Sequence, residues 1–121
     1  MAIGSMELDA EAAPCCAPLA EPGLSDADAR GAADLFKALG DPHRVRIVNL
    51  LATAGEPVCV CDLTPALALA QGTVSFHLKR LLDAGLIRRE RRGTWSYYSL
   101  EPGALSRVAD VLRPASGGDV E

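Results

Sequence analysis

The sequence lacks the features that mark membrane and secreted proteins. No apolar run approaches the ~20 residues that a membrane-spanning helix needs. The N-terminus has no basic region followed by a hydrophobic segment, so no signal peptide is predicted. We therefore expect a cytoplasmic protein with no membrane partner. In that compartment the four cysteines are expected to be metal ligands or reactive thiols rather than disulfides.

The residues of common catalytic sites are also scarce. The chain has two histidines, which give little acid–base capacity. No Ser/His/Asp order, paired-carboxylate cleft or phosphate-binding loop is visible in the sequence. We therefore predict that the protein is not an enzyme.

The chain has no excess of positive charge, since its formal net charge is −4. Its charges are nevertheless unevenly distributed. Six of the 12 lysines and arginines lie in Lys79–Arg92, whereas the acidic residues concentrate in Glu7–Asp34 and at the C-terminus. Because a local field depends on where charges lie, the basic segment can still meet a polyanion.

A length of 121 residues predicts one small domain with tails. Residues 1–24 have little periodicity and are predicted to be a flexible arm that carries Cys15 and Cys16. Residues 25–113 are predicted to form the folded domain, and residues 114–121 a disordered tail. Such a domain buries only about two-thirds of its unfolded surface, and dimerisation would add to this. We expect a homodimer formed through the first and last helices.

The segment Asp62–Ser99 predicts a winged helix-turn-helix within a mainly α fold. Its pattern indicates a short helix, a turn at Ala70–Gln71, a longer helix and a two-stranded hairpin with its tip at Gly93–Thr94. With two helices before this segment and one after it, the domain has five helices and a two-stranded wing. The longer helix divides into two faces, with an apolar stripe formed by Val74, Leu78, Leu81 and Leu82.

The other face of this helix and the hairpin carry the groups that DNA recognition needs. Base-edge contacts are predicted near the start of the helix, and phosphate contacts further along it and on the hairpin. The predicted DNA-binding residues are Gln71, Thr73, Ser75, Phe76, His77, Lys79, Arg80, Arg91 and Arg92. The ring of Phe76 could contact a thymine methyl group or pack against its own turn. Trp95, Tyr97 and Tyr98 are expected to pack in the core and the wing.

Cys59 and Cys61 lie where the third helix begins. Asp62 is a plausible N-cap, because proline is tolerated in the first turn and Pro65 follows closely. If the preceding segment is extended, both sulfurs point to one side, and Val58 and Val60 face the core. With Cys15 and Cys16, these residues offer three or four thiolates, which select soft or borderline ions such as zinc, cadmium, lead, copper(I), arsenic(III) and antimony(III).

Three segments in order resemble the ArsR/SmtB family of metal-sensing repressors. They are residues 36–47, residues 58–63 and residues 73–86, and the resemblance extends over residues 35–112. It implies that Cys59-Val-Cys61-Asp-Leu is a third-helix sensor motif like that of the arsenic and cadmium/lead repressors. Arsenic sensors of this type often have a further cysteine three residues after the second cysteine of the motif. Here that position, three residues after Cys61, is Thr64. Cys15 or Cys16 could supply the missing sulfur.

The resemblance implies a dimer that binds operator DNA without its inducer and releases it when As(III) or Sb(III) binds the cysteines. The final helix lacks the histidine and acidic ligands that zinc sensors of the family place there. Three alternatives remain open. They are a Cd(II)/Pb(II)-responsive repressor with four thiolates, a thiol redox-sensing repressor, and a cytosolic metal(loid) buffer that does not regulate transcription.

Overall fold

A computed structural model describes residue 19 and residues 23–114 of the chain. The predicted arm cysteines, Cys15 and Cys16, and most of the predicted tail lie outside the described residues. The described part contains five helices and three strands, in an order that agrees with a winged helix-turn-helix. The helices are α1 Asp26–Leu39, α2 Pro42–Ala54, α3 Val60–Leu67, α4 Gln71–Asp83 and α5 Pro102–Leu112. The strands are β1 Val58–Cys59, β2 Ile87–Arg92 and β3 Trp95–Leu100.

The first two helices begin at side-chain caps that the sequence encodes locally. The Ser25 hydroxyl accepts a hydrogen bond from the Asp28 amide at 3.0 Å. The Asp41 carboxylate accepts from the amides of His43 at 2.8 Å and Arg44 at 3.3 Å. Such caps satisfy amides that have no partner inside the helix. They fix where α2 starts, and α2 in turn packs against α4, the helix predicted to contact DNA.

One hydrophobic core joins all the helices to the sheet. The apolar stripe of α4 is confirmed, because Val74, Leu78 and Leu81 are fully buried and Leu82 is half-buried. The core residues contributed by the other elements are Leu35, Ile47, Leu51, Leu63, Leu67, Leu86, Ile87, Tyr98 and Ala104. The core therefore holds α4 by one face and leaves its opposite face at the surface. No helix among the described residues is long and apolar enough to span a membrane.

The wing differs from the predicted two-stranded hairpin because it belongs to a three-stranded sheet. The strand order is β1-β3-β2, and both pairings are antiparallel. β1 has only two residues, and they pair with β3 as Val58 with Tyr98 and Cys59 with Tyr97. The predicted wing tip at Gly93–Thr94 is confirmed, since β2 ends at Arg92 and β3 begins at Trp95. The extra strand places a predicted sensor cysteine directly beside the wing.

Candidate DNA interface and thiol pair

The outer face of α4 exposes most of the side chains predicted to contact DNA. Six of them are exposed: Gln71, Thr73, Ser75, Phe76, Lys79 and Arg80. Lys79 also forms an ion pair with Asp83 at 3.2 Å, but both side chains remain largely exposed. Hydrogen-bonding groups, cations and one aromatic ring thus share a single helix surface, as reading a major groove requires.

Phe76 lies at the centre of this face and is 52% exposed. Its ring meets the His77 ring edge-on, with the centroids 5.4 Å apart. The Arg80 guanidinium carbon lies 5.2 Å from the centre of the Phe76 ring, a distance that permits a cation–π interaction. The ring therefore packs partly on its own turn, as one of the two predictions has it, while half of its surface remains available for another contact.

His77 contradicts its predicted role in DNA contact, because it is only 6% exposed. Its Nδ1 lies 3.1 Å from Nη1 of Arg44, and its ring centroid lies 5.4 Å from that of His43. Arg44 also donates from Nε to the Ala38 carbonyl at 2.6 Å. His77 consequently joins α4 to the start of α2 and faces away from the surface where DNA would lie. The 33-residue separation of Arg44 and His77 explains why no sequence pattern revealed this contact.

The charges of this junction affect two pKa values. Burial, followed by the positive charges of Arg44 and His43, lowers the pKa of His77 below its ordinary value, although Asp41 opposes this shift. Desolvation acts to raise the pKa of Asp41. The hydrogen bonds from the amides of His43 and Arg44 and the charges of His77 and Arg44 outweigh this effect, so the pKa of Asp41 is lowered overall. At neutral pH we therefore expect a neutral His77 next to an ionised cap of α2.

The wing exposes the predicted cations, and its three aromatic residues differ in how deeply they are buried. Arg91 and Arg92 are exposed. The guanidinium of Arg92 lies 4.4 Å from the centre of the Tyr97 ring and bonds a Glu90 carboxylate oxygen at 3.1 Å. The predicted packing is confirmed for the buried Tyr98 and the half-buried Tyr97, but Trp95 is 53% exposed at the tip.

The two described cysteines lie at the junction of β1 and α3, in an arrangement that corrects the prediction. The N-cap of α3 is Cys59 and not Asp62, so Cys61 already lies in the first turn. The sulfur of Cys59 accepts a hydrogen bond from the Cys61 amide at 3.3 Å. Cys59 is 4% exposed, whereas Cys61 is exposed. The predicted extended segment is therefore wrong, since the strand ends and the helix begins between the two residues, but the two thiols still lie within hydrogen-bonding reach of each other.

The thiols nevertheless interact. A hydrogen-bonding interaction with the Cys59 thiol, followed by desolvation and the charges of Cys59 and Asp62, raises the pKa of Cys61 to about 11. Cys61 is therefore a protonated thiol at neutral pH. Two soft sulfur ligands are already adjacent in the folded chain.

The first turn of α3 is held by fewer and weaker hydrogen bonds than the start of an ordinary helix. Pro65 lies inside the helix and has no N–H to donate to the Cys61 carbonyl four residues earlier. The Thr64 hydroxyl donates to the Val60 carbonyl at 3.1 Å, so this side chain braces the turn. A sulfur atom is also a weak acceptor compared with the oxygen of a usual cap. The start of α3 consequently depends on side-chain hydrogen bonds from Cys59 and Thr64.

The thiol pair by itself does not complete a metal site. Within residues 23–114, no group of three or more His, Cys, Asp or Glu side chains is arranged to hold an ion. The two adjacent sulfurs fit a soft ion or a trivalent metalloid as a partial ligand set. Any further sulfur must come from Cys15, Cys16 or another chain, because the sequence contains no other cysteine.

Comparisons with known proteins agree with the winged helix-turn-helix fold. Residues 41–89, from the cap of α2 into β2, match the family described as bacterial regulatory protein, arsR family. The arsenical resistance operon repressor of Bacillus subtilis is 52% identical over 89 residues, which cover 69% of this chain and 84% of the relative. The repressor of the same description from Escherichia coli is 41% identical over 81 residues, covering 67% and 68% of the two chains.

A solved structure extends the likeness to three dimensions. The homodimeric winged helix-turn-helix DNA-binding domain of a possible ArsR-family regulator from Mycobacterium bovis is 29% identical. It superposes with a TM-score of 0.61 over 75% of this chain and 86% of the other. The fold, the exposed helix face and these relatives together support one conclusion. The chain belongs to the ArsR family of DNA-binding transcriptional regulators, and it is related to the repressors of arsenic resistance and is not an enzyme.

Proposed function

We propose that the metal-free protein is a homodimer that represses transcription by binding operator DNA, and that As(III) or Sb(III) releases it. The observation that carries this proposal is the adjacent thiol pair at the start of α3, the helix that packs against the recognition helix α4. The relatives named as arsenical resistance operon repressors support the same inducer class.

On the DNA side, α4 enters the major groove with its exposed face. Gln71, Thr73, Ser75 and Phe76 lie near base edges, while Lys79 and Arg80 contact phosphates. Arg91 and Arg92 add phosphate contacts from the wing. This assignment is supported by the exposure of these side chains and by the fixed position of the opposite face in the core.

On the inducer side, Cys59, Cys61 and one of Cys15 or Cys16 act as ligands. Three thiols exchange with the three hydroxyl groups of arsenous acid, so that three As–O bonds are replaced by three As–S bonds and three waters leave. The exchange needs no oxidant and no net loss of protons. Ten residues separate Cys16 from Asp26, and this length could span up to about 33–36 Å when extended.

The release follows from linkage. A ligand weakens DNA binding only if it binds the DNA-free conformation more tightly than the DNA-bound one. The Cys59 sulfur is buried and caps α3, so joining it to a residue of the arm alters the helix start. A displaced α3 no longer supports α4 in the geometry that fits the groove.

The dimer is expected to form through α1 and α5. These helices border a groove of about 440 Å³, lined by Leu24, Ala27, Asp28, Gly31, Ala32, Arg107, Asp110 and Val111. Leu24 and Leu112 are 53% and 67% exposed in the single chain. Small residues and exposed apolar side chains on one surface favour close packing with a second copy.

The alternatives receive less support from the same site. A redox switch needs a thiolate at neutral pH, and the raised pKa of Cys61 disfavours that particular thiol in this role. A metal(loid) buffer would not need the exposed helix face or the basic wing. A Cd(II)/Pb(II) response would use four thiols and would release protons, so inducer affinity would rise steeply with pH.

The experiment is a titration of a DNA duplex from the promoter of its own operon with the reduced protein, with and without sodium arsenite. We expect arsenite to lower the affinity by about 5–150-fold, the usual range of coupling between two sites. Cys59→Ser and Cys61→Ser should bind the duplex normally and lose the response. Equal affinities with and without arsenite would remove the claim of induction, and a response to cadmium alone would reassign the inducer.

A further inference from the structure

The thiol pair touches the wing as well as the helix-turn-helix. Cys59 lies in β1, and its backbone pairs with Tyr97 of β3. β3 is the central strand of the sheet and forms one side of the wing with β2. The residue that caps α3 is therefore also a hydrogen-bonded neighbour of the strand that carries the wing.

The side chain of Tyr97 extends this link to a cation of the wing. The guanidinium of Arg92 lies 4.4 Å from the centre of the Tyr97 ring. Arg92 also bonds Glu90 at 3.1 Å, and it is the last residue of β2 before the turn. One residue thus contacts the sensing strand through its backbone and a candidate phosphate-binding arginine through its ring.

Ligand binding must disturb this link if it uses Cys59. The sulfur is 4% exposed and accepts a hydrogen bond from the Cys61 amide, so Cys59 must rotate or move outward to bind a ligand from solvent. β1 comprises two residues at the edge of the sheet and is held by two residue pairs. So short a strand resists displacement weakly, and the pairing of Cys59 with Tyr97 is the first contact affected.

We infer that Tyr97 is a positioning residue through which the Cys59 thiol controls the wing. When Cys59 is drawn toward a ligand, β1 separates from β3, Tyr97 shifts, and Arg92 leaves the position in which it meets a phosphate. This inference rests on the proposed function and adds a second route, through the sheet, to the packing of α3 on α4.

The first test compares two substitutions at Tyr97. Tyr97→Phe keeps the ring beneath Arg92, whereas Tyr97→Leu removes it and leaves an apolar residue in the strand. Both proteins should bind sodium arsenite, measured calorimetrically, as the parent does. With Tyr97→Phe, arsenite should reduce promoter affinity by the same factor as in the parent. With Tyr97→Leu, that factor should be clearly smaller than in the parent, because only the packing of α3 on α4 then couples the two sites. A full response in Tyr97→Leu would overturn the inference.

The second test uses the unmodified protein and does not depend on the variants folding. Hydrogen exchange should show that amides of β1 and β3 lose protection when arsenite is added. The emission of Trp95, the only tryptophan of the chain, should shift at the same stoichiometry. If the protein releases the promoter while β1, β3 and Trp95 remain unchanged, the sheet route is wrong and the proposed function stands. If arsenite neither binds nor releases the promoter, the proposed function fails and the inference falls with it.

Discussion

Two adjacent residues of α4 lie on faces that their chemistry alone does not indicate. Phe76 is apolar and half-exposed, whereas His77 is polar and buried. Helical periodicity explains both positions, since His77 follows Val74 by three residues and precedes Leu81 by four, and both of these are core residues. That spacing was visible in the sequence and would have separated His77 from the DNA-binding set. The contact with Arg44 that satisfies the buried ring was not visible.

The exposed half of Phe76 predicts a role in sequence preference. Phe76→Ala should relax the preference at one base pair, because a thymine methyl group loses its apolar contact. The change should amount to about 1–3 kcal/mol at that position. Affinities for a set of duplexes, each with one base pair substituted, would measure it. Ser106→Ala, an exposed change on α5, is a suitable control. A uniform loss of affinity for all duplexes would mean that the ring only braces its own turn and Arg80.

The lowered pKa of His77 predicts that stability falls on mild acidification. The unfolded chain binds a proton at His77 near the ordinary pKa of 6.5, whereas the folded chain binds it only at lower pH. Protonation therefore favours unfolding, and the stability is lost as the pH falls below about 6.5. Urea denaturation at a series of pH values should show this loss, and His77→Gln should reduce the pH dependence. The contribution of Asp41 appears only at lower pH, near and below its ordinary value of 3.8. An unchanged pH profile in His77→Gln would assign the effect to other groups.

At the scale of whole elements, local signals predicted the helices and the wing but not the start of α3. The caps Ser25 and Asp41 and the turn at Gly93–Thr94 are encoded by neighbouring residues, and the predicted turn was placed correctly. The start of α3 was misplaced because Pro65 was assumed to lie in the first turn. The structure instead accommodates it as the sixth residue of an eight-residue helix.

The third strand was missed for a different reason. Two residues are too few to show an alternating pattern, and the pairing of β1 with β3 joins residues about 40 positions apart. The burial of Cys59 follows from that pairing. The prediction that Val58 and Val60 face the core is confirmed, since both are half-buried and pack against the core cluster. The candidate sensing residues were thus identified by chemistry, while their surroundings depended on contacts that are distant in sequence.

The wing gives a prediction that separates electrostatic contact from base reading. Arg91→Ala and Arg92→Ala should each weaken promoter binding similarly for all sequences. Each lost phosphate contact should reduce the slope of log affinity against log salt concentration by about one. Arg46→Ala is the matched control, because Arg46 is exposed on α2 and belongs neither to α4 and the wing nor to the proposed dimer surface. A slope that stays unchanged in the wing variants would place these arginines outside the phosphate contacts.

At the scale of the whole molecule, the distribution of charge matters more than its sum. Although the net charge is −4, Lys79 and Arg80 of α4 and the four arginines of β2 are all exposed, and we propose that these two elements face DNA. One α4 can read only a short stretch of duplex, and two copies related by a twofold axis would read two half-sites. The groove between α1 and α5 is the surface where we expect that twofold contact, and its lining residues lie outside α4 and the wing.

This arrangement predicts the effect of a charge at the proposed dimer surface. Leu112→Glu should leave the fold of the single chain intact, because Leu112 is 67% exposed, but it should place two like charges across a twofold interface. Sedimentation should show a shift from dimer to monomer at micromolar concentration, and promoter affinity should fall at least tenfold, since the two half-sites are then bound independently. Val45→Glu is the matched control, because Val45 is 51% exposed and lies on α2 rather than on α1 or α5. If Leu112→Glu remains dimeric while Val45→Glu dissociates, the copies meet through α2, and the assignment of α1 and α5 as the dimer surface is wrong.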